Sequence, residues 1–189
     1  NIPLEEGGTG VRAYGEAVGT YLAFAVDRSA DKWASLAVWN NIGEKVEHVF
    51  GRQAIPMTWD FAEANAFSQS TGNFNSAIDW VWKVVEKASA KNNGKATQHD
   101  ATISYQDDSI PKLISTDPPY YDAVPYADLS DFFYVWMRPA LSSIYPSIFR
   151  QILTPKAEEM IADTFQRGSK EKAKDFFENS LIKVFHRAN

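Results

Sequence analysis

The chain has 189 residues, a net charge of −5, 44% hydrophobic and 14% aromatic residues, and no cysteine. That length suits one domain or a domain with a subdomain, and the apolar content suits a packed core rather than disorder. Disulfides and thiolate metal sites are excluded, no apolar run approaches the ~20 residues of a membrane-spanning helix, and no leader-like segment stands at the start, so a cytoplasmic location without a membrane partner is expected. Asn1 stands where an initiating Met would, which reads as either a fragment or a processed chain. Charge is uneven: residues 1–137 hold ten Lys/Arg against eighteen Asp/Glu, and residues 138–189 hold nine against six. The acidic balance is awkward for a nucleic-acid partner, and the small basic excess reads first as a solvated helix surface.

Residues 1–10 read as a loop. Its Gly7-Gly8-Thr9-Gly10 follows no strand and lacks the Gly-x-Gly-x-x-Gly spacing of a dinucleotide cradle. Residues 14–36 read as a long helix, with Val18, Leu22, Ala25 and Val26 at helical spacing. A second helix or turn carries Val38, Trp39, Ile42, Val46 and Val49. Residues 50–67, with Gly51 and Pro56, read as a structured loop with a short helix near 60–65. Asn73 or Asn75 is placed to cap a helix over 74–90, which carries Ile78, Val81, Trp82 and Val85 on one stripe and ends at Lys91-Asn92-Asn93-Gly94.

The pattern changes after Gly94. Residues 96–105 alternate loosely and read as a strand, 106–109 as a turn, and 112–116 as a short buried strand. A helix is expected over 128–143, capped near Asp128 or Ser130, with Pro139 kinking or ending it. Further helices are expected over 157–165 and 169–187, the latter with Phe176, Phe177, Leu181, Val184 and Phe185 on its apolar face.

Between the second expected strand and the helix after it stands Asp117-Pro118-Pro119-Tyr120. Two consecutive prolines fix two φ angles, remove two donors and push Asp117 into an extended conformation. The resulting stiff corner presents a carboxylate, unpaired carbonyls and an aromatic ring. Carboxylate and carbonyl accept N–H bonds and the ring stacks, so the corner suits a planar group carrying an amine. The bland alternative for Asp117 is an Asx-type turn residue bonding its own backbone. Tyr121, Asp122 and Tyr126 either line the same pocket or pack on the sheet edge. Phe132, Phe133, Tyr134 and Trp136 are spaced as core residues of a helix. His48, His99 and His186 show no ligand spacing, so no metal site is expected, and there is no nucleophile elbow.

Asp-Pro-Pro-Tyr after a hydrophobic strand resembles the catalytic motif of S-adenosylmethionine-dependent amino-methyltransferases, above all those acting on adenine N6 in DNA. The longer run TDPPYYDAVPYADLSDFFYVWMRPAL, 116–141, resembles a family of large bacterial and archaeal adenine-specific DNA methylases. YGEAVGTYLAFAVDRSADKWA, 14–34, and FGRQAIPMTWDFAEANAF, 50–67, resemble the same family. The resemblance implies a helix-rich α/β fold: a partial Rossmann-like methyltransferase sheet in 95–189 carrying the motif, and a large helical insertion over 1–94. It implies methyl transfer from S-adenosylmethionine to adenine N6 of a flipped base. In that scheme Asp117 accepts one amine N–H, the Pro118 carbonyl accepts the other, Pro119 completes the corner and Tyr120 stacks on the base. Tyr121, Asp122 and Tyr126 belong to the substrate pocket, and Asp117 also forms one wall of the cofactor site. The family's Gly-rich cofactor loop lies upstream of the matched region. The S-adenosylmethionine site is therefore expected to be incomplete here, with DNA and the remainder of the same polypeptide as partners. Two alternatives stay open: the same chemistry on RNA or a protein amide, and a non-catalytic nucleic-acid- or partner-binding domain.

Overall fold

The structure, a computed structural model, describes residues 1–88, 94, 96–103, 113–122 and 124–188. Its elements are helix α1 (Val11–Trp33), strands β1 (Trp39–Asn40) and β2 (Lys45–Val46), and helices α2 (Phe74–Lys87), α3 (Tyr126–Leu141), α4 (Thr164–Arg167) and α5 (Lys170–Ala188). They fall into two compact units: Asn1–Gly94 with Leu129–Thr154, and Lys95–Asp128 with Pro155–Asn189. Among the described residues no helix is long and apolar enough to cross a membrane.

The first unit is built on α1. A 3-10 turn at Leu4–Glu6 closes on Gly7, whose φ of 80° is the left-handed region that favours glycine. At Gly8 an added Cβ would sit 2.0 Å from the Ile2 carbonyl oxygen, so these glycines serve a local turn. The Leu4 amide donates to Glu16 at 2.6 Å and the Arg12 guanidinium at 2.8 Å. Those two partners, the backbone bond first, hold the Glu16 carboxyl below its ordinary range. α1 buries its small side, Ala13, Ala23, Ala25 and Ala30, and leaves Val18 and Leu22 largely exposed. Against Ala23 pack Leu141, Phe149, Tyr134, Met137, Ile144 and Tyr145, with the Tyr134 and Phe149 rings stacked at 5.6 Å. A second cluster gathers Ala37, Val46 and Val49 with Phe50 and Phe132, whose rings meet edge to face at 5.2 Å. α2 packs on α1; Asn73 caps it, accepting from the Ser76 amide at 2.8 Å.

The expected partial Rossmann-like sheet is corrected by this architecture. Among the described residues the sheet is β1 paired antiparallel with β2, Trp39 opposite Val46 and Asn40 opposite Lys45. It lies in the stretch read as a second helix or turn. The physical reason is Asn40: its side-chain oxygen accepts from the Ile42 and Gly43 amides, both at 2.9 Å, and reverses the chain as an Asx turn. Neither 96–103 nor 113–116 forms a strand, and residues 104–112 lie outside the described residues. Leu113 and Ile114 are 98% and 51% exposed, so this short apolar run is not buried against a sheet. The helix expected near 60–65 is absent. That expected over 157–165 shrinks to α4, which Asp163 caps through the Phe165 amide at 2.7 Å and which Gly168 ends at φ 81°. α2 stops at Lys87; Lys91-Asn92-Asn93, expected at its end, lies outside the described residues. Pro139 sits in the last turn of α3, which ends two residues later.

Asp27 on α1 is half-buried, and its Oδ1 has no hydrogen-bond partner among the described residues. Burial pushes its carboxyl up from 3.8 to about 6. In that window the folded chain binds the extra proton, so stability falls as pH rises from about 4 to about 6 and then levels. Asp27→Asn removes the charge at nearly constant shape. It is expected to flatten that slope and to stabilise the fold at neutral pH by on the order of 1 kcal/mol, the shift being discounted for the solvent-facing half of the group. Thermal unfolding from pH 4 to 7 checks this; parallel curves for the two proteins would remove Asp27 as the source.

Candidate functional site

The corner belongs to the second unit, and its two ends are held differently. Upstream, residues 113–118 are exposed and carry no regular structure. Asp117 is exposed, with no hydrogen bond or ion pair to another described residue. The prolines stiffen this side, because each ring fixes its own φ locally. Pro119 is half-buried, and the Tyr120 ring is 65% exposed.

Downstream the chain is tied at three successive points. Tyr121 adopts φ 44°, in the left-handed region that a bulky side chain enters at a cost of about 1–2 kcal/mol. Its amide donates to the Pro119 carbonyl at 3.1 Å and its own carbonyl accepts from the Ala162 amide at 2.9 Å. Its ring meets Phe177 of α5 edge to face at 5.1 Å. These contacts hold the backbone in that conformation and turn the chain directly after Tyr120. Val124 and Ala127, which follow this turn in sequence, are buried, as are Ile161 and Ala162 on the segment that bonds to it. At the start of α3 the Ala127 amide donates to Glu159 at 3.0 Å, and Lys156 lies 3.9 Å from Asp128. Burial pushes the Glu159 carboxyl up, and the charge of Asp128 adds to that; the amides of Ala127 and Tyr126 and the Lys156 ammonium oppose it.

Chemically, the corner offers an acceptor and an aromatic face to solvent on a backbone clamped at one end. No protein-family model, curated protein or solved structure matches this chain.

Of the residues expected to form the site, Asp117, Pro118 and Tyr120 stand exposed together on one irregular segment, and Asp122 follows them in the exposed turn. Tyr121 faces Phe177, and Tyr126 opens α3 with its side chain 43% exposed. Sequence reasoning missed Ala162, Glu159 and Phe177 as supports of the corner. Phe177 carried a signal, since it lay on the apolar stripe of the last helix. Glu159 carried none, because a lone Glu 32 residues from its amide partner leaves no pattern.

The described residues do not fit S-adenosylmethionine as a complete site. Its amino-acid end needs a glycine-rich turn after a strand, and its ribose an acid at a strand end. Gly7 to Gly10 belong to the first unit's local turn, and no strand leads into Asp117. Among the described residues no three His, Asp or Glu side chains come together to hold a metal ion.

Proposed function

We propose that this chain supplies the amine-recognising corner of an adenine-N6 DNA methyltransferase. The observation that carries the reading is the intact Asp117-Pro118-Pro119-Tyr120 with Asp117 and Tyr120 both exposed. Among the described residues, Asp117, Pro118 and Tyr120 are exposed, while Pro119 is half-buried and accepts from the Tyr121 amide. The neighbouring Tyr121, by contrast, is committed to its contacts with Ala162 and Phe177. The resemblance of 116–141 to the adenine-specific methylase family supports the same reading.

An adenine amine is a poor nucleophile because its lone pair is delocalised into the ring. Acceptors on its two hydrogens, the Asp117 carboxylate and the Pro118 carbonyl, favour the tetrahedral nitrogen and disperse the positive charge that develops on it. The Tyr120 ring stacks on a base that has left the duplex, an extrusion costing a few kcal/mol and least for an unpaired base. The proposal covers this half of the site; cofactor binding is not assigned to these residues.

The test is stacking. An oligonucleotide with a fluorescent adenine analogue at an unpaired position should lose emission when the protein binds. Tyr120→Phe should keep the quench, and Tyr120→Ala should lose it and weaken binding by roughly 1–3 kcal/mol. Equal losses for Phe and Ala would point to the hydroxyl and sink the stacking role.

A further inference from the structure

In the first unit, a cleft of about 240 Å³ opens between the end of α1 and the start of α2, lined by Arg28, Lys32, His48, Asn73, Ser76 and Trp80 among others. Its charge runs against that of the chain, which is −5 overall. Arg28 and Lys32 stand one turn apart on α1, and like charges at that spacing repel by a few tenths of a kcal/mol. Neither makes an ion pair with a described carboxylate. Asp31, the carboxylate among the lining residues, is already engaged: His48 Nδ1 lies 2.5 Å from one oxygen and the Phe50 amide donates to the other at 3.3 Å.

The contacts these cations do make leave their charge available. The Lys32 stem lies against Gly72, where an added Cβ would meet its Cδ at 3.0 Å. The Arg28 guanidinium lies 5.2 Å from the Trp80 ring centroid. The Lys83 ammonium lies 5.6 Å from the same centroid, so the indole already carries two cations. Trp80 is still 55% exposed. The cleft thus sets two cations and a partly free aromatic surface beside the hydroxyls of Thr71 and Ser76. The N-terminus of α2 is already capped by Asn73 and adds no anion site here.

We propose that this cleft binds one nucleotide unit, its phosphate against Arg28 and Lys32 and its base against the Trp80 indole. Phosphate is the anion whose geometry suits a guanidinium fork together with an ammonium point charge. A base is the planar partner that the indole beside them accepts. The inference stands on the first unit alone and is independent of the corner in the second. The nucleotide can come from a single strand or be free, and the two sources are separable.

The experiment is fluorescence anisotropy of the whole chain with a labelled oligothymidylate of about ten nucleotides, within the length such sites cover. Thymidine monophosphate and inorganic phosphate serve as competitors. Arg28→Gln and Lys32→Gln should each weaken binding roughly tenfold or more and lower the salt slope by about one. Arg28→Lys should recover part of the loss. Trp80→Ala should weaken binding and Trp80→Phe retain it, with unchanged circular dichroism as the folding control. Lys174→Gln, on α5, should change nothing. Binding of the strand with little competition from the monophosphate assigns the site to a strand. Competition by the monophosphate far stronger than that by inorganic phosphate assigns it to free nucleotide. Three results would overturn the proposal: no binding of either, equal competition by inorganic phosphate and the monophosphate, or the same loss for Lys174→Gln as for Arg28→Gln.

Discussion

Under the proposed function, Asp117→Ala is expected to lower methyl transfer to DNA by on the order of 10²–10³-fold, the usual cost of removing one group that stabilises developing charge. The melting temperature should stay within a few degrees, because Asp117 is exposed and bonds to no other described residue, and substitutions at such positions stay within about 0.5 kcal/mol. In the proposed scheme affinity for DNA should change little, since there the carboxylate serves the amine in the transition state and the stacking ring is left in place. Asp117→Asn should fall between Ala and the native residue: its carbonyl still accepts one N–H, but its charge is gone. Transfer of a labelled methyl group into DNA, read beside binding and thermal unfolding, checks all three. Near-normal transfer by Asp117→Ala would end the assignment. A parallel loss of stability would make the residue a structural one.

The helices were legible because helical periodicity is local. α1 and α5 came out within a few residues of the expected spans, and the Asn73 cap was visible as a polar residue before an apolar run. Burial along α1 was less legible. The pattern marked Val18, Leu22, Ala25 and Val26; packing buries Ala25, leaves the three larger residues exposed, and adds Ala23 and Ala30. Close approach of neighbouring backbone favours small side chains, and periodicity alone does not weigh size. The strands failed for a related reason. Ile114 and Leu113 form a run too short to tell a buried strand from an exposed irregular segment. The hairpin that does exist depends on one Asn side chain bonding two amides ahead. The motif of the candidate site was legible as four adjacent residues. Its support was not, because the Ala162 amide and the Phe177 ring come from distant positions. The cationic cleft was hidden too. Arg28 and Lys32 are visible as neighbours one turn apart, but nothing in the sequence brings Trp80 to them.

Leu141→Ala should produce the largest stability loss in the first unit. Leu141 is 1% exposed and sits at the end of α3 among Ala23, Phe149, Tyr134, Met137, Ile144 and Tyr145. Truncation removes the transfer free energy of the lost atoms and adds the cost of a cavity, about 3 kcal/mol within a usual range of 2–5. The site has little means of collapse. The Tyr134 hydroxyl donates to the Gln151 carbonyl at 2.7 Å, its ring is stacked on Phe149, and Tyr145 is tied to Thr20 across 3.2 Å. Those bonds resist movement into the void, so the cavity is expected to persist rather than collapse. For a unit of this size the melting temperature should drop by roughly 10 °C. Leu141→Met keeps the volume and should cost less than about 1.5 kcal/mol. Leu113→Ala is the matched control: the same chemical change at a side chain that is 98% exposed should stay within about 0.5 kcal/mol. Denaturant unfolding of the three variants measures the difference. Equal midpoints for Leu141→Ala and Leu113→Ala would mean that the Ala23–Leu141–Phe149 cluster is not the core that holds α1 to the end of α3.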